Sequence, residues 1–259
     1  MRYVRFVNEN CKPTWGILSQ DELIRPLSAA PYLDGVPVGE PVPLQAVKLL
    51  APCEPGKIVA VGKNYQDHIQ ELDSRQPETP IIFIKPDTSI NHPEGTIVLP
   101  SPAMSVRVDY EGELALVIGR KAKNVRPEEA LSHVLGYTCL NDVTARDVQQ
   151  KDIQWTRAKA FDGFAPIGPV LTDEVDPRAL SLRTRLNGTI VQDSNTRMLI
   201  WPVNELIAFI SEVMTLLPGD VITTGTPGGI GPMKPGDLIE VSIEGIGTLR
   251  NRVAAPAGG

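Results

Sequence analysis

Apolar runs along this chain are short and are stopped repeatedly by proline or glycine. The 22 glycines and 24 prolines are scattered between those runs rather than massed in one tract. Proline fixes φ and lacks a donor, and glycine frees backbone angles that other residues avoid, so most runs close before a helix can establish itself. Many short strands joined by tight turns follow. Segments 57–61, 81–84, 96–99, 113–118, 134–140, 220–224, 238–243 and 248–253 read as strands. The clearest hairpin joins 181–186 to 189–191 through Asn187-Gly188, the pair that supplies both positive φ angles of a type I′ turn.

Helical signals are fewer. Residues 202–216 place Val203, Leu206, Ile207, Ile210, Val213 and Met214 on one face. Residues 64–72 suit a short helix with Asn64 as its N-cap, and Pro127, followed by Glu128 and Glu129, opens another that ends before Gly136. Strands and helices do not alternate regularly enough for a doubly wound sheet, so the expected fold is α+β and β-rich, a roll or sandwich. The first fifty residues alternate loosely and then run through Pro26, Pro31, Pro37, Pro41 and Pro43. This predicts a small N-terminal β-rich domain over 1–52 and a main domain over 53–259.

Charge and cysteine content narrow the function. A net charge of −6, with no basic run to neutralise phosphates, argues against nucleic acid as a partner. No window approaches the roughly 18 apolar residues of a membrane span. The N-terminus lacks the apolar core of a secretory signal, and Cys11, Cys53 and Cys139 cannot all pair within one chain. A cytoplasmic protein with reduced thiols is the expectation.

Acidic residues carry the chemistry. Glu111 and Glu113 stand two apart at the mouth of an apolar strand, so they share a face and repel unless a cation or solvent intervenes. Asp142 closes another apolar run. Three carboxylates with positions left for water or substrate oxygens suit Mg²⁺ or Mn²⁺ rather than zinc. Taken alone, the same E-x-E spacing also describes two solvated strand-end charges. His68 and Glu71, three apart on the 64–72 helix, can hydrogen-bond, leaving one imidazole nitrogen free to accept a proton. An exposed helical ion pair has the same spacing. Arg146 and Gln149 follow Asp142 at i+4 and i+7 on an expected helix start, and Arg146 could equally form a structural salt bridge. Lys85, in Ile-Lys-Pro, could approach the same pocket.

Five ordered segments resemble motifs of the fumarylacetoacetate hydrolase family: VGKNYQDH at 61–68, DYEGELALVIG at 109–119, NDVTARD at 141–147, KAFDGFAPIGP at 159–169 and TGTPGGIG at 224–231. The resemblance spans roughly residues 57–253. It implies that family's mixed β-sandwich roll, a homodimer or dimer of dimers, and a Mg²⁺ or Mn²⁺ site on Glu111, Glu113 and Asp142. It further implies catalytic roles for His68, Glu71 and Lys159, and substrate contacts from Arg146, Gln149 and Thr226. The implied substrates are small 2-oxo acids. Hydrolysis or decarboxylation of the C3–C4 bond through an enolate is the expected reaction. Isomerisation of unsaturated dicarboxylic acids such as 2-hydroxyhepta-2,4-diene-1,7-dioate is the alternative, and a non-catalytic carboxylate-binding protein the third.

Overall fold

The computed structural model describes residues 1–256, so the last three positions of the expected 53–259 domain lie outside the described residues. A twelve-stranded sheet runs Val42–Pro43, Leu23–Leu27, Pro13–Leu18, Arg2–Val7, Ala165–Thr172, Val134–Asn141, Gly112–Ile118, Val221–Thr223, Ile58–Gly62, Ile81–Lys85. Lys48–Leu50 pairs beside Arg2–Val7, and Ile90–Asn91 beside Ala165–Thr172. A second sheet of five strands runs Thr189–Asn195, Ser181–Leu186, Leu238–Ile243, Gly247–Ala254, Thr96–Val98. Thr144–Ala145, Val108–Tyr110 and Gly231–Pro232 form a third, of three strands. The expected β-rich α+β architecture is the one the chain adopts.

Strand Gly112–Ile118 lies at the centre and is buried at every position. Leu114, Leu116 and Ile118 point one way, into a core shared with Leu182 and Val241 of the five-stranded sheet and Leu206 and Ile210 of helix Val203–Val213. Ala115 and Val117 point the other way, against Ile58, Leu140, Ile167 and Val221. Cover on both faces explains why this strand reads as an unbroken apolar run. Residues 1–52 add their strands to the same sheet through Arg2 opposite Thr172 and Tyr3 opposite Leu171. Among the described residues no helix is long and apolar enough to cross a membrane.

Register decides which strand ends meet. Gly112 stands opposite Asn141, Ala115 opposite Thr223, and Thr223 beside Ala60 in a parallel pair. The residues that leave these strands at one end are Lys63, Glu111, Asp142 and Thr224, from four distant stretches of sequence. The site described below is assembled there.

Several expectations shift at the boundaries. Asn187 and Gly188 have φ of +52° and +82° as the hairpin required, but its second strand runs to Asn195 rather than 191. The strand continues because Gln192 turns inward and is buried. Helix Val203–Val213 is shorter than 202–216, since Met214 is already extended, and Val213 is 57% exposed rather than on the buried face. Helix Gln66–Glu71 starts at Tyr65, and Asn64 does not cap it: its amide is committed to Trp201 and Thr224 instead. Asp142 precedes the bridge Thr144–Ala145, so it is not on the helix Arg146–Lys151 with Arg146 and Gln149.

The double-sided burial makes a stability prediction. Leu116→Ala, at a site with 0% exposure, should cost about 2–5 kcal/mol in urea denaturation. Ile153→Ala, at a site 95% exposed, should stay within about 0.5 kcal/mol.

Candidate active site

A cleft of about 210 Å³ opens at these strand ends, lined among others by Lys63, His68, Glu111, Glu113, Arg146, Gln149, Trp155, Lys159 and Thr226. Eight of the nine side chains expected to serve the site therefore border on one cleft or its acidic floor, and Glu71 reaches it through His68. Glu111 and Glu113 keep the shared face that their spacing predicts. Ligand oxygens of Glu111, Glu113 and Asp142 lie within 4.8 Å of one another, and all three residues are buried.

Buried carboxylates are costly unless paired. Lys159 Nζ donates to Glu111 Oε2 at 2.7 Å and to Asp142 Oδ2 at 2.6 Å. Arg146 donates to the other oxygen of Glu111, to Asp109 at 2.9 Å and to Gln149. Lys85, fully buried, places Nζ 2.7 Å from Asp142 Oδ1, outside hydrogen-bonding geometry, so that oxygen is buried with no hydrogen bond. One oxygen of Glu113 accepts from the Thr223 hydroxyl and, at 2.9 Å, from the Gly225 amide. Gly225 is required here. Its φ is +93°, and a Cβ would stand 2.9 Å from that of Asn64.

The two glutamates diverge electrostatically. Burial presses Glu111 toward the neutral acid, but Lys159 and Arg146, with His68 beyond them, outweigh it and hold its carboxyl well below the usual carboxylate range. Burial also presses Glu113 upward, and there the negative neighbours Asp142 and Glu111 add to it, so its pKa lies well above the usual range despite Lys159 and Thr223. Lys159 is drawn downward by burial and more strongly upward by Asp142 and Glu111. Lys85 is lowered, burial prevailing over Asp142.

These residues fit a divalent cation. An all-oxygen donor set is hard, the three carboxylates converge in a buried site, and Glu113 has no cationic partner among the described residues. Beside this floor stands a proton-handling pair. His68, 4% exposed, places Nδ1 3.2 Å from Glu71 Oε2, and the other oxygen of Glu71 accepts from the Gly229 amide at 3.1 Å. With Nδ1 turned to a carboxylate, the imidazole's second nitrogen is available for proton transfer. Thr226 donates its hydroxyl to Gly112 O at 2.9 Å and accepts from Gln192 at 2.8 Å, so it braces the floor.

Some of the site was not singled out from sequence. Asp109 and Gln192 are buried polar partners of Arg146 and Thr226. A polar residue at an inward-facing strand position was the available signal for Gln192. Trp155 packs on Gly62, where a Cβ would lie 2.4 Å from the indole ring. Nothing local in the sequence marks that contact.

Fold and site together define a β-sheet enzyme with a buried acidic triad facing a small cleft. Residues 57–254 match the fumarylacetoacetate (FAA) hydrolase C-terminal family, and residues 1–52 match the Rv2993c-like N-terminal family. The chain belongs to the fumarylacetoacetate hydrolase family and is an enzyme of it, and members of that family bind divalent metals. It is 42% identical to the oxaloacetate tautomerase Fahd2a, mitochondrial, of Rattus norvegicus over 82% of this chain and 71% of that one. The crystal structure of 5-carboxymethyl-2-hydroxymuconate delta-isomerase from Mycobacterium smegmatis superposes with a TM-score of 0.92 at 43% identity, covering 98% of this chain and 100% of that one. That of 2-hydroxyhepta-2,4-diene-1,7-dioate isomerase from Mycobacterium marinum gives 0.90 at 43% identity, with both chains fully covered.

The divergence of the glutamates predicts how cation binding depends on pH. Because the folded-state pKa of Glu113 is raised, the stability it contributes is fully present below its unfolded pKa and is lost as pH rises through the folded value. A cation that binds the carboxylate offsets that loss. Mg²⁺ should therefore raise Tm more at pH 8 than at pH 6. Calorimetry in buffers of different ionisation enthalpy should detect proton release on binding, and Glu113→Gln should abolish it. Equal Tm shifts at both pH values would contradict this account.

Proposed function

We propose that the enzyme moves a proton at C3 of a small 2-oxo acid, interconverting keto and enol or isomerising a conjugated double bond. The observation that carries this reading is the His68–Glu71 pair beside the buried acidic triad. It is supported by the tautomerase and isomerase activities that the relatives' names state. On the strength of those names this reading takes proton transfer before the C–C cleavage expected from sequence.

In this reading Glu111, Glu113 and Asp142 hold Mg²⁺ or Mn²⁺. The ion, when bound, supplies positive charge where negative charge develops on the 2-oxo oxygen. Glu71 keeps His68 oriented, and the imidazole takes a proton from C3 and returns it, to carbon or to oxygen. Lys159 and Arg146 keep Glu111 ionised, and Lys159 also pairs with Asp142. Trp155 and Leu72 exclude water from one side of the cleft.

Cleavage of the C3–C4 bond, by hydrolysis or decarboxylation, is a second reading. It is favoured by the same imidazole, which can take a proton from water as readily as from carbon. The two separate by product. Purified protein with Mg²⁺ is given enol-oxaloacetate, followed by ultraviolet absorbance, while released pyruvate is measured by a coupled assay; acetylpyruvate is tested in parallel. Faster loss of the enol without pyruvate supports tautomerisation. Pyruvate from either compound supports cleavage.

Removing the base should sharpen the distinction. His68→Ala should slow ketonisation by about 10²–10⁴. On acetylpyruvate it should damage hydrolysis more than it damages oxaloacetate decarboxylation, which needs no activated water. Glu111→Gln should damage every one of these reactions. Wild-type rates in His68→Ala would remove the imidazole from the chemistry.

A further inference from the structure

The acidic floor of the cleft uses its cations on its own carboxylates. Lys159 pairs with Glu111 and Asp142, Arg146 with Asp109 and Glu111, and Lys85 with Asp142. Of the lysines and arginines lining the cleft, which are Lys63, Arg146 and Lys159, only Lys63 forms no ion pair among the described residues. It is partly exposed, so its ammonium keeps some water and is available to a ligand.

The backbone at Lys63 is held from both sides. Lys63 has φ +57°, a left-handed conformation that a residue with a Cβ avoids unless its neighbours impose it. Asn64 imposes it. The amide Nδ2 donates to Trp201 O at 3.0 Å and Thr224 O at 2.8 Å, Oδ1 accepts from Trp201 N at 2.8 Å, and the Asn64 carbonyl accepts from Ile200 N at 2.9 Å. On the other side the Trp155 ring packs on the Gly62 backbone and meets Phe83 edge to face, with centroids 5.3 Å apart. The cleft thus offers three surfaces: the acidic triad, an apolar wall of Val61, Leu72 and Trp155, and one unpaired ammonium.

We propose that Lys63 receives the distal carboxylate of a dicarboxylic 2-oxo acid and thereby selects diacids over monoacids. The inference rests on the 2-oxo acid reading above. A ligand whose 2-oxo carboxylate end lies at the triad extends its carbon chain along the apolar wall. Its far end then meets Lys63, the cleft lysine that no carboxylate among the described residues neutralises. A charge-assisted hydrogen bond from this ammonium adds affinity for the diacid that a methyl terminus cannot collect, less the side-chain freedom the lysine gives up.

The test is equilibrium binding to the Mg²⁺-loaded protein by calorimetry, using pairs of equal carbon number: oxaloacetate with 2-oxobutanoate, 2-oxoglutarate with 2-oxopentanoate, and 2-oxoadipate with 2-oxohexanoate. In the wild type at least one diacid should bind about tenfold more tightly than its monoacid partner. That ratio should collapse in Lys63→Met and be retained in Lys63→Arg, and added salt should reduce it. A ratio near one in the wild type, or one that survives in Lys63→Met, overturns the assignment of Lys63 while leaving the 2-oxo acid reading standing. If neither member of any pair binds the wild type, the 2-oxo acid reading fails and this inference fails with it.

Discussion

The structure depends on how buried charge is kept ionised at the ends of an apolar sheet. Glu111, Glu113 and Asp142 are all withdrawn from water, and a carboxylate in that position either finds a cation or takes a proton. The chain answers with Lys159 and Arg146 on Glu111, and with Lys159 and Lys85 on Asp142. Glu113 alone is left with a hydroxyl and an amide. One glutamate is thereby fixed as an anion and its neighbour two residues on is poised to become one, although both sit on the same strand face.

That arrangement requires four strand ends to stay together, and the sheet supplies the rigidity. Cover on both faces of Gly112–Ile118 leaves it no alternative register, because a slip of one residue would carry Glu113 into the leucine-lined face. The parallel pairing of Val221–Thr223 with Ile58–Gly62 then brings the turn at Gly225 against Asn64. The Asn64 amide ties the two loops by hydrogen bonds to Thr224 and Trp201, so the segment carrying Lys63 and the helix carrying His68 are referenced to the same sheet edge as the triad.

Glu71 joins a different pair of elements. It meets His68 within its own helix and the Gly229 amide on the glycine-rich loop, so proton handling is coupled to the position of that loop. Gln192 does the corresponding work from the second sheet, holding Gly112, Thr226 and Pro227 at once. Both sheets therefore contribute polar side chains to one floor, although their shared core is apolar.

The sequence by itself determined the local matters. Asn187-Gly188 set the hairpin because its two positive φ angles are a property of those residues. The E-x-E spacing put Glu111 and Glu113 on one face because strand periodicity is two, and the 68/71 spacing let His68 reach Glu71 because one helical turn separates them. Ordered motifs named the family. Only the tertiary structure decided what Asn64, Lys85, Gln192 and Trp155 do. Each acts on residues tens to more than a hundred positions away, across sheet pairings that no local pattern encodes. Asn64 looked like a helix cap because its immediate neighbours permit one, and it became a clamp because Trp201 and Thr224 offer more bonds than the helix does. The sign of the Glu113 shift was likewise beyond sequence, since it depends on which carboxylate the folded chain brings Lys159 and Arg146 to face.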